Sequence, residues 1–299
     1  MNKWKIGVVL AGVVMLVLGI LLFVFGLSLG ASPVVAVGKN GRNTADRKLI
    51  TGSVDITEFN SLNVDVSSME VEFKTGDKYA FEYTVYDDDV PDVKQNGQEL
   101  TIKQPDHSFF IMVDFRGIND HEKEKYIITV PKNDKSYELD YRASSGSLKV
   151  EDINISGNVE ITSGDVYFNG TAGDDLTFKA SSGDMNLSGS NISRFKSIIT
   201  SGSINADNCE FDDINTKMTS GEMNITNSKC NTAFFDMTSG DVNLQLIGSE
   251  DDYSYDFDMT SGEVKLADVE FDGDYRKDNN TGKEIKIRMT SGSAVIDFK

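Results

Sequence analysis

A tetrad of Ser, Gly, an acid or Ser, and an apolar residue recurs from the middle of this chain to its end, and few folds can accommodate it. It reads ASSGSLKV at Ala143, ITSGDVYF at Ile161, ASSGDMNL at Ala180, ITSGSINA at Ile199, MTSGEMNI at Met218, MTSGDVNL at Met237, MTSGEVKL at Met259 and MTSGSAVI at Met289. The repeat glycines, Gly146 to Gly292, are separated by 18, then four times 19, then 22 and 30 residues. A period near 20 residues marks stacked units, each too small to bury its own apolar face, that bury it against their neighbours. Function is then sought on a repetitive surface rather than in one cleft.

Aligning the units on glycine separates core columns from solvent columns. Three residues before each Gly stand Ala143, Ile161, Ala180, Ile199, Met218, Met237, Met259 and Met289, all apolar. Two and four residues after it stand further apolar columns, Leu148 to Ala294 and Val150 to Ile296, with polar residues between them. This period of two is that of a strand with one buried face. Glycine suits a corner that needs a positive φ. Ile155, Ile192, Phe211 and Cys230 also align, as do Leu176, Phe195, Ile214 and Ala233, giving two or three short strands per rung. The expected fold class is therefore all-β, a parallel β-solenoid with rungs of 19 residues.

A worn copy of the unit, VSSMEVEF, lies upstream at Val66–Phe73, with Met69 where Gly would stand. Between it and Tyr141 come FEYTVY, the hairpin signal VKQNGQELTIK, SFFIMVDF and YIITVP. Residues 51–142 are read as opening rungs plus a capping extension and 143–299 as regular repeats, one domain over 51–299; a separate small β domain is the alternative. The long spacings after Gly240 and Gly262 read as insertions, YSYDFD and DGDYRKDNNTGKE, expected to bulge as loops. The last strand, Ala294, Val295, Ile296, Asp297 and Phe298, stops one residue short of the terminus with no capping element after it. It is expected to be an open edge for a partner's strand or for self-association.

At the front, Lys3 and Lys5 precede a run from Ile6 to Leu29 without any charge. At ~1.5 Å per residue it is long enough for a ~30 Å hydrocarbon layer. Residues 1–31 are read as one N-terminal transmembrane helix, cleavage as a signal peptide near Gly30–Ala31 being the alternative. Residues 32–50 are read as a polar linker. Lys39, Arg42, Arg47 and Lys48 outnumber the two leading lysines and argue for a cytoplasmic domain. The order of basic tip and apolar run resembles an export signal and favours a single-pass protein of the cell membrane with its domain outside.

A net charge of −19 argues against nucleic acid, whose phosphates it would repel. Two cysteines, Cys209 and Cys230, make a cysteine-based zinc site implausible and leave a disulfide or two buried thiols. His107 and His121 show no metal or triad spacing, and no nucleophile elbow, P-loop or dinucleotide fingerprint occurs. No catalytic residue or cofactor is implied. The column after the glycine carries acids, and Glu222, Asp241 and Glu263 would form a ladder that an oxygen-loving cation such as Ca²⁺ could bridge. The alternative is a solvated outer face. Asn186, Asn205, Asn224 and Asn243 form a further column, expected to bond amide to amide between rungs.

These iterated T/S-S-G-D/E-V-x-L units, the ITVP element at Ile128–Pro131 and the apolar N-terminus resemble a bacterial family known as "putative adhesins", the LiaG-like β-strand-repeat domains. The resemblance covers nearly all of residues 51–299. It implies a Gram-positive cell-envelope protein, often linked to envelope stress, and brings no catalytic residues. The expected function is a non-catalytic, membrane-anchored binding or stress-sensing surface with an envelope protein or a glycan as partner. Alternatives are a scaffold that self-associates through open ends, and a polysaccharide-cleaving β-helix. Scattered basic residues disfavour the last.

Overall fold

The computed structural model describes residues 34–37, 48–105, 111–114, 124–133 and 135–299. Ahead of the repeats run β1 (Val34–Val37), β2 (Leu49–Val54), β3 (Ser61–Gly76), β4 (Ala80–Tyr86), β5 (Asp92–Asn96), β6 (Glu99–Lys103), β7 (Ile111–Asp114) and β8 (Lys125–Pro131). The repeats comprise β9 (Ser136–Glu151), β10 (Asn154–Ile161), β11 (Asp165–Asn169), β12 (Ala172–Ser182), β13 (Asp184–Ser188), β14 (Asn191–Ser201), β15 (Ser203–Asp207), β16 (Glu210–Met218), β17 (Glu222–Met237) and β18 (Asp241–Leu246). The chain ends with β19 (Ser254–Met259), β20 (Glu263–Leu266), β21 (Val269–Phe271), β22 (Tyr275–Lys277), β23 (Glu284–Met289) and β24 (Ser293–Phe298).

Contacts divide the chain into two units. The smaller holds the antiparallel pair of β1 and β7. β1 lies inside the stretch read as a linker, and β7 inside the SFFIMVDF strand signal.

In the larger unit the segments before the corner glycines pair with one another, and so do those after them. Ala143, Ile161, Ala180, Ile199, Met218 and Met237 are successive parallel partners. So are Leu148, Val166, Met185, Ile204, Met223 and Val242. Each is buried, as period-two alternation requires of the inward face. The worn copy fits the same register: Val66 lies beside Ala143 and Met69 beside Gly146.

The expected fold class, an all-β parallel solenoid, is corrected by this architecture. Strands β3, β9 and β17, 16 residues each, run through a corner and belong to both columns, and the strands close into one barrel-like sheet. That sheet is mixed. At one end β4 pairs antiparallel with β8 and β2, and β5 with β6. At the other β21 pairs antiparallel with β20, and β22 with β19. Among the described residues no helix is long and apolar enough to cross a membrane; a 3-10 turn at Glu250–Asp252, capped by Ser249, joins β18 to β19. The run Ile6–Leu29 lies outside the described residues.

The supposed insertions are structural. YSYDFD supplies most of β19, and DGDYRKDNNTGKE supplies β22. Rung order departs from chain order as well: β23 lies between β17 and β19, and β24 between β18 and β20. Charge at two columns agrees with this order. Stacking in chain order would set Asp258 beside Asp236 and Glu263 beside Asp241, and like charges directly opposite are destabilising. The final rung instead places Arg288 between the two aspartates and Ser293 between Asp241 and Glu263.

Aromatic rings fill both ends of the core. Phe59 meets Phe73, Tyr79 and Tyr137 with centroids 5.4–6.3 Å apart. At the far end Tyr275 packs on Phe271 at 4.0 Å and on Phe257 at 5.7 Å. The far edge strands β21 and β22 have three residues each and carry Glu270, Arg276 and Lys277. Short charged edges resist further strand pairing.

Candidate functional site: the outward columns of the stack

The corner glycines show how the surface is spaced. Gly202 has φ +129°, and a Cβ added there would meet the carbonyl oxygen of Gly183 well inside 3.0 Å. Backbone bonds run unbroken through the corner: Thr219 N–H donates to the Ile199 carbonyl at 3.0 Å and Ser220 N–H to that of Thr200 at 2.9 Å. Successive rungs therefore present equivalent side chains at strand spacing, ~4.8 Å.

A second corner column was not recognised in the sequence. Asp152, Gly170, Gly189, Asn208 and Asn227 have φ between +49° and +61°. The residue types that tolerate this region are Gly, Asn and Asp, so their alignment was the available signal. Hydroxyl and thiol groups follow them at Thr171, Ser190, Cys209 and Ser228, all buried. The Ser228 hydroxyl accepts from Cys209 N–H at 2.9 Å and donates to the Thr226 carbonyl at 2.6 Å. Cys209 and Cys230 are free thiols. Burial pushes Cys209 up and Cys230 up to about 12, so neither is a ready nucleophile at neutral pH.

The acidic ladder does not assemble as expected. Glu222 and Asp241 are neighbours, but Ser293 separates Asp241 from Glu263. The Asp241 carboxylate accepts from Ser293 N–H at 3.0 Å and from its hydroxyl at 2.6 Å. Asp184 likewise accepts from Ser203 N–H at 2.8 Å. Where an acid precedes a Ser rung, it caps that rung's backbone. Among the described residues no group of three or more His, Cys, Asp or Glu side chains could hold a metal ion. His107 and His121 lie outside the described residues.

The expected open edge at Ala294, Val295, Ile296, Asp297 and Phe298 is also corrected. Strand β24 pairs with β18 along its whole length and with β20 through Ile296. Ala294 and Ile296 are fully buried, and the Phe298 ring packs on Tyr253 at 5.5 Å. Lys299 continues the ladder, its N–H donating to the Leu246 carbonyl at 2.9 Å and its Nζ to Asn227 Oδ1 at 2.8 Å.

The asparagine column forms a chain of amides. Asn205 donates to Asn186 at 3.2 Å and Asn224 to Asn205 at 3.1 Å, with Asn243 next in register. Each amide carries two donors and two acceptor lone pairs, so a ladder bond on either side leaves an N–H and a lone pair per rung. The column floors a groove of about 460 Å³. Tyr167 stands at one end, 39% exposed, its hydroxyl bonded to Asp165 at 3.3 Å. Asp207 lies along its side, in register with Ser188 and Thr226, held below the usual carboxylate range by hydrogen bonds from Thr226 and Asn227.

Toward the amino end of the same face is a half-buried charge cluster. Lys149 bonds Glu70 at 2.9 Å, Lys125 bonds Glu72 at 2.6 Å, and Lys74 bonds Glu72 at 3.3 Å. The Lys149 bond, against burial, holds Glu70 below its ordinary value. Every member is matched, so the cluster reads as a structural network.

A solved structure of a "putative lipid binding protein" from Parabacteroides distasonis is similar, with a TM-score of 0.53, 14% identity, and coverage of 84% of this chain and 97% of that one. A "putative adhesin" from Bacteroides fragilis aligns with a TM-score of 0.47 and 16% identity over 84% of this chain and 97% of that one. At such identities the first likeness concerns the fold alone. No curated protein sequence matches the chain. The family model Toastrack DUF4097 matches residues 59–296, from the aromatic plug at Phe59 to the buried Ile296 of the inserted rung, and on that match the chain belongs to the Toastrack DUF4097 family.

Proposed function

We propose that the protein is a non-catalytic, adhesin-like binding protein that engages an extended, hydroxyl-rich glycan along the groove floored by Asn186, Asn205 and Asn224. The observation that carries this reading is the amide chain itself. It offers spare donors and acceptors at even intervals beside an exposed Tyr167 ring, and a polymer of repeating polar units would meet them in step. Tyrosine beside such a row supplies an apolar face for a sugar ring and a polar tip. Names given to structural relatives, adhesin and binding protein, agree with a binding role.

Display at the cell envelope is part of the proposal and rests on the uncharged stretch Ile6–Leu29, with the domain outside the cell; a stress-sensing role would use the same face. The self-associating scaffold loses its motivation at the carboxyl end, since the final strand lies inside the sheet and an aromatic plug and short charged strands close that end. A polysaccharide-cleaving role lacks support, because the column of near-equivalent acids offers no pair in contrasting environments.

Retention of the purified protein on insoluble cell-wall glycan tests the proposal. Wild type is expected to be retained, Tyr167→Ala to lose most of that retention while melting normally, and the supernatant to contain no released sugar. Equal retention of the two proteins, or soluble sugar in the supernatant, would contradict it.

A further inference from the structure

The final rung, β23 and β24, fills a slot whose two walls come earlier in the chain. Its contacts to both walls are in one register: Met289 faces Met237 and Met259, and Ala294 faces Val242 and Val264. Thr290 N–H donates to the Met237 carbonyl and Thr260 N–H to that of Met289, each at 3.0 Å. The slot is also selective. A Cβ on Gly292 would strike the Gly240 carbonyl, so an occupant needs glycine at its corner. The walls present Asp236 and Asp258 on one column and Asp241 and Glu263 on the other, so an occupant needs a cation before the corner and a neutral hydrogen-bonding residue after it. Among the eight full repeats the last supplies both, with Arg288 and Ser293, as does the first, with Arg142 and Ser147.

The occupant is tied to its walls by residues 278–283, DNNTGK, a polar segment with no buried residue and with positive φ at Asn280 and Gly282. The strand pairing of the rung is with the walls alone, and a second copy of this chain carries the same rung. We propose that the slot between β18 and β20 also accepts the final rung of a second copy, giving a reciprocal dimer that exchanges residues 284–299. Exchange preserves all rung contacts, so the two forms differ only in the hinge and in the entropy of association. This inference does not depend on the glycan-binding reading.

The test uses two versions of the full-length protein, one carrying Asn243→Cys and the other Val295→Cys, positions that are register partners across the slot. They are unfolded together, refolded under reducing conditions at increasing concentration, and oxidised only after folding, when Cys209 and Cys230 are buried. The expected result is a shift from 32.9 kDa to twice that mass, through a disulfide joining the two introduced cysteines, in a proportion that rises with concentration. Shortening the hinge by deleting Asn279 and Asn280 is expected to raise the dimer proportion, because a strained hinge favours exchange. Refolding to monomer alone at every concentration, or a dimer lacking the 243–295 link, would overturn the proposal.

Discussion

The amide N–H of Glu263 donates to the carbonyl of Gly292 at 3.2 Å, a residue of the following repeat, and not to Gly240 of the preceding one. That bond records the reversal of the last two rungs. It also separates the Glu263 and Asp241 carboxylates by a full rung, with the Ser293 hydroxyl accommodated on Asp241 at 2.6 Å.

Ser293→Asp should therefore destabilise the fold although the position is on the surface. It removes a hydroxyl bond to Asp241 and sets four carboxylates in a row, from Glu222 to Glu263. A loss of about 1–2 kcal/mol is expected in chemical denaturation. Part of it should return in high salt, which screens exposed charges.

The corner glycines predict a contrast between two substitutions. Gly202→Ala meets both a positive φ of +129° and the Gly183 carbonyl, whereas at Gly189, with φ +57°, nothing lies within 4 Å of an added Cβ. The first should cost roughly 3 kcal/mol or more and the second about 1 kcal/mol. Thermal melts of the two variants check the difference.

Much of the stack could be read from residue type alone. The columns Ala143 to Met237 and Leu148 to Val242 are buried partners as their alternation implied, and Val66–Phe73 is the worn rung it resembles. Rung order could not be read, because Met259 and Met289 fit equally well beside Met237 by hydropathy and differ only in the charges that flank them. Tyr253–Asp258 and Asp272–Glu284 read as loops since their aromatic and charged residues break the repeat, yet those departures close the far end of the core. The asparagine column was legible from its spacing. The groove along it depends on how the flanking Tyr167 and Asp207 side chains stand beside the column, which a linear alignment does not convey.

Acid should weaken the amino end of the stack first. Glu70 is held below its ordinary value of 4.5, chiefly by its bond from Lys149. Its contribution is thus fully present above pH 4.5 and is lost as pH falls through the lowered folded value. Glu70→Gln should flatten the decline of stability below pH 4.5, by on the order of 1 kcal/mol or less for so accessible a pair. Denaturation midpoints measured from pH 6 down to about 3 test this, with an unchanged slope as the contrary outcome.

Inside the core, the Ser197 hydroxyl donates to Thr216 Oγ1 at 2.8 Å, and both residues are fully buried. Thr216→Val leaves the serine hydroxyl without this partner and should cost about 1–3 kcal/mol. Adding Ser197→Ala should cost little more, so the double variant should be less destabilised than the sum of the single ones. A double-mutant cycle in urea gives the comparison.

The final strand lies inside the sheet, and hydrogen exchange across Ser293–Phe298 measures that directly. The expected result is that the amides of Ala294, Val295 and Ile296 exchange as slowly as those of Met223 and Ile225 in the middle of the stack. Exchange as fast as that of the edge strand Val269–Phe271 would contradict it.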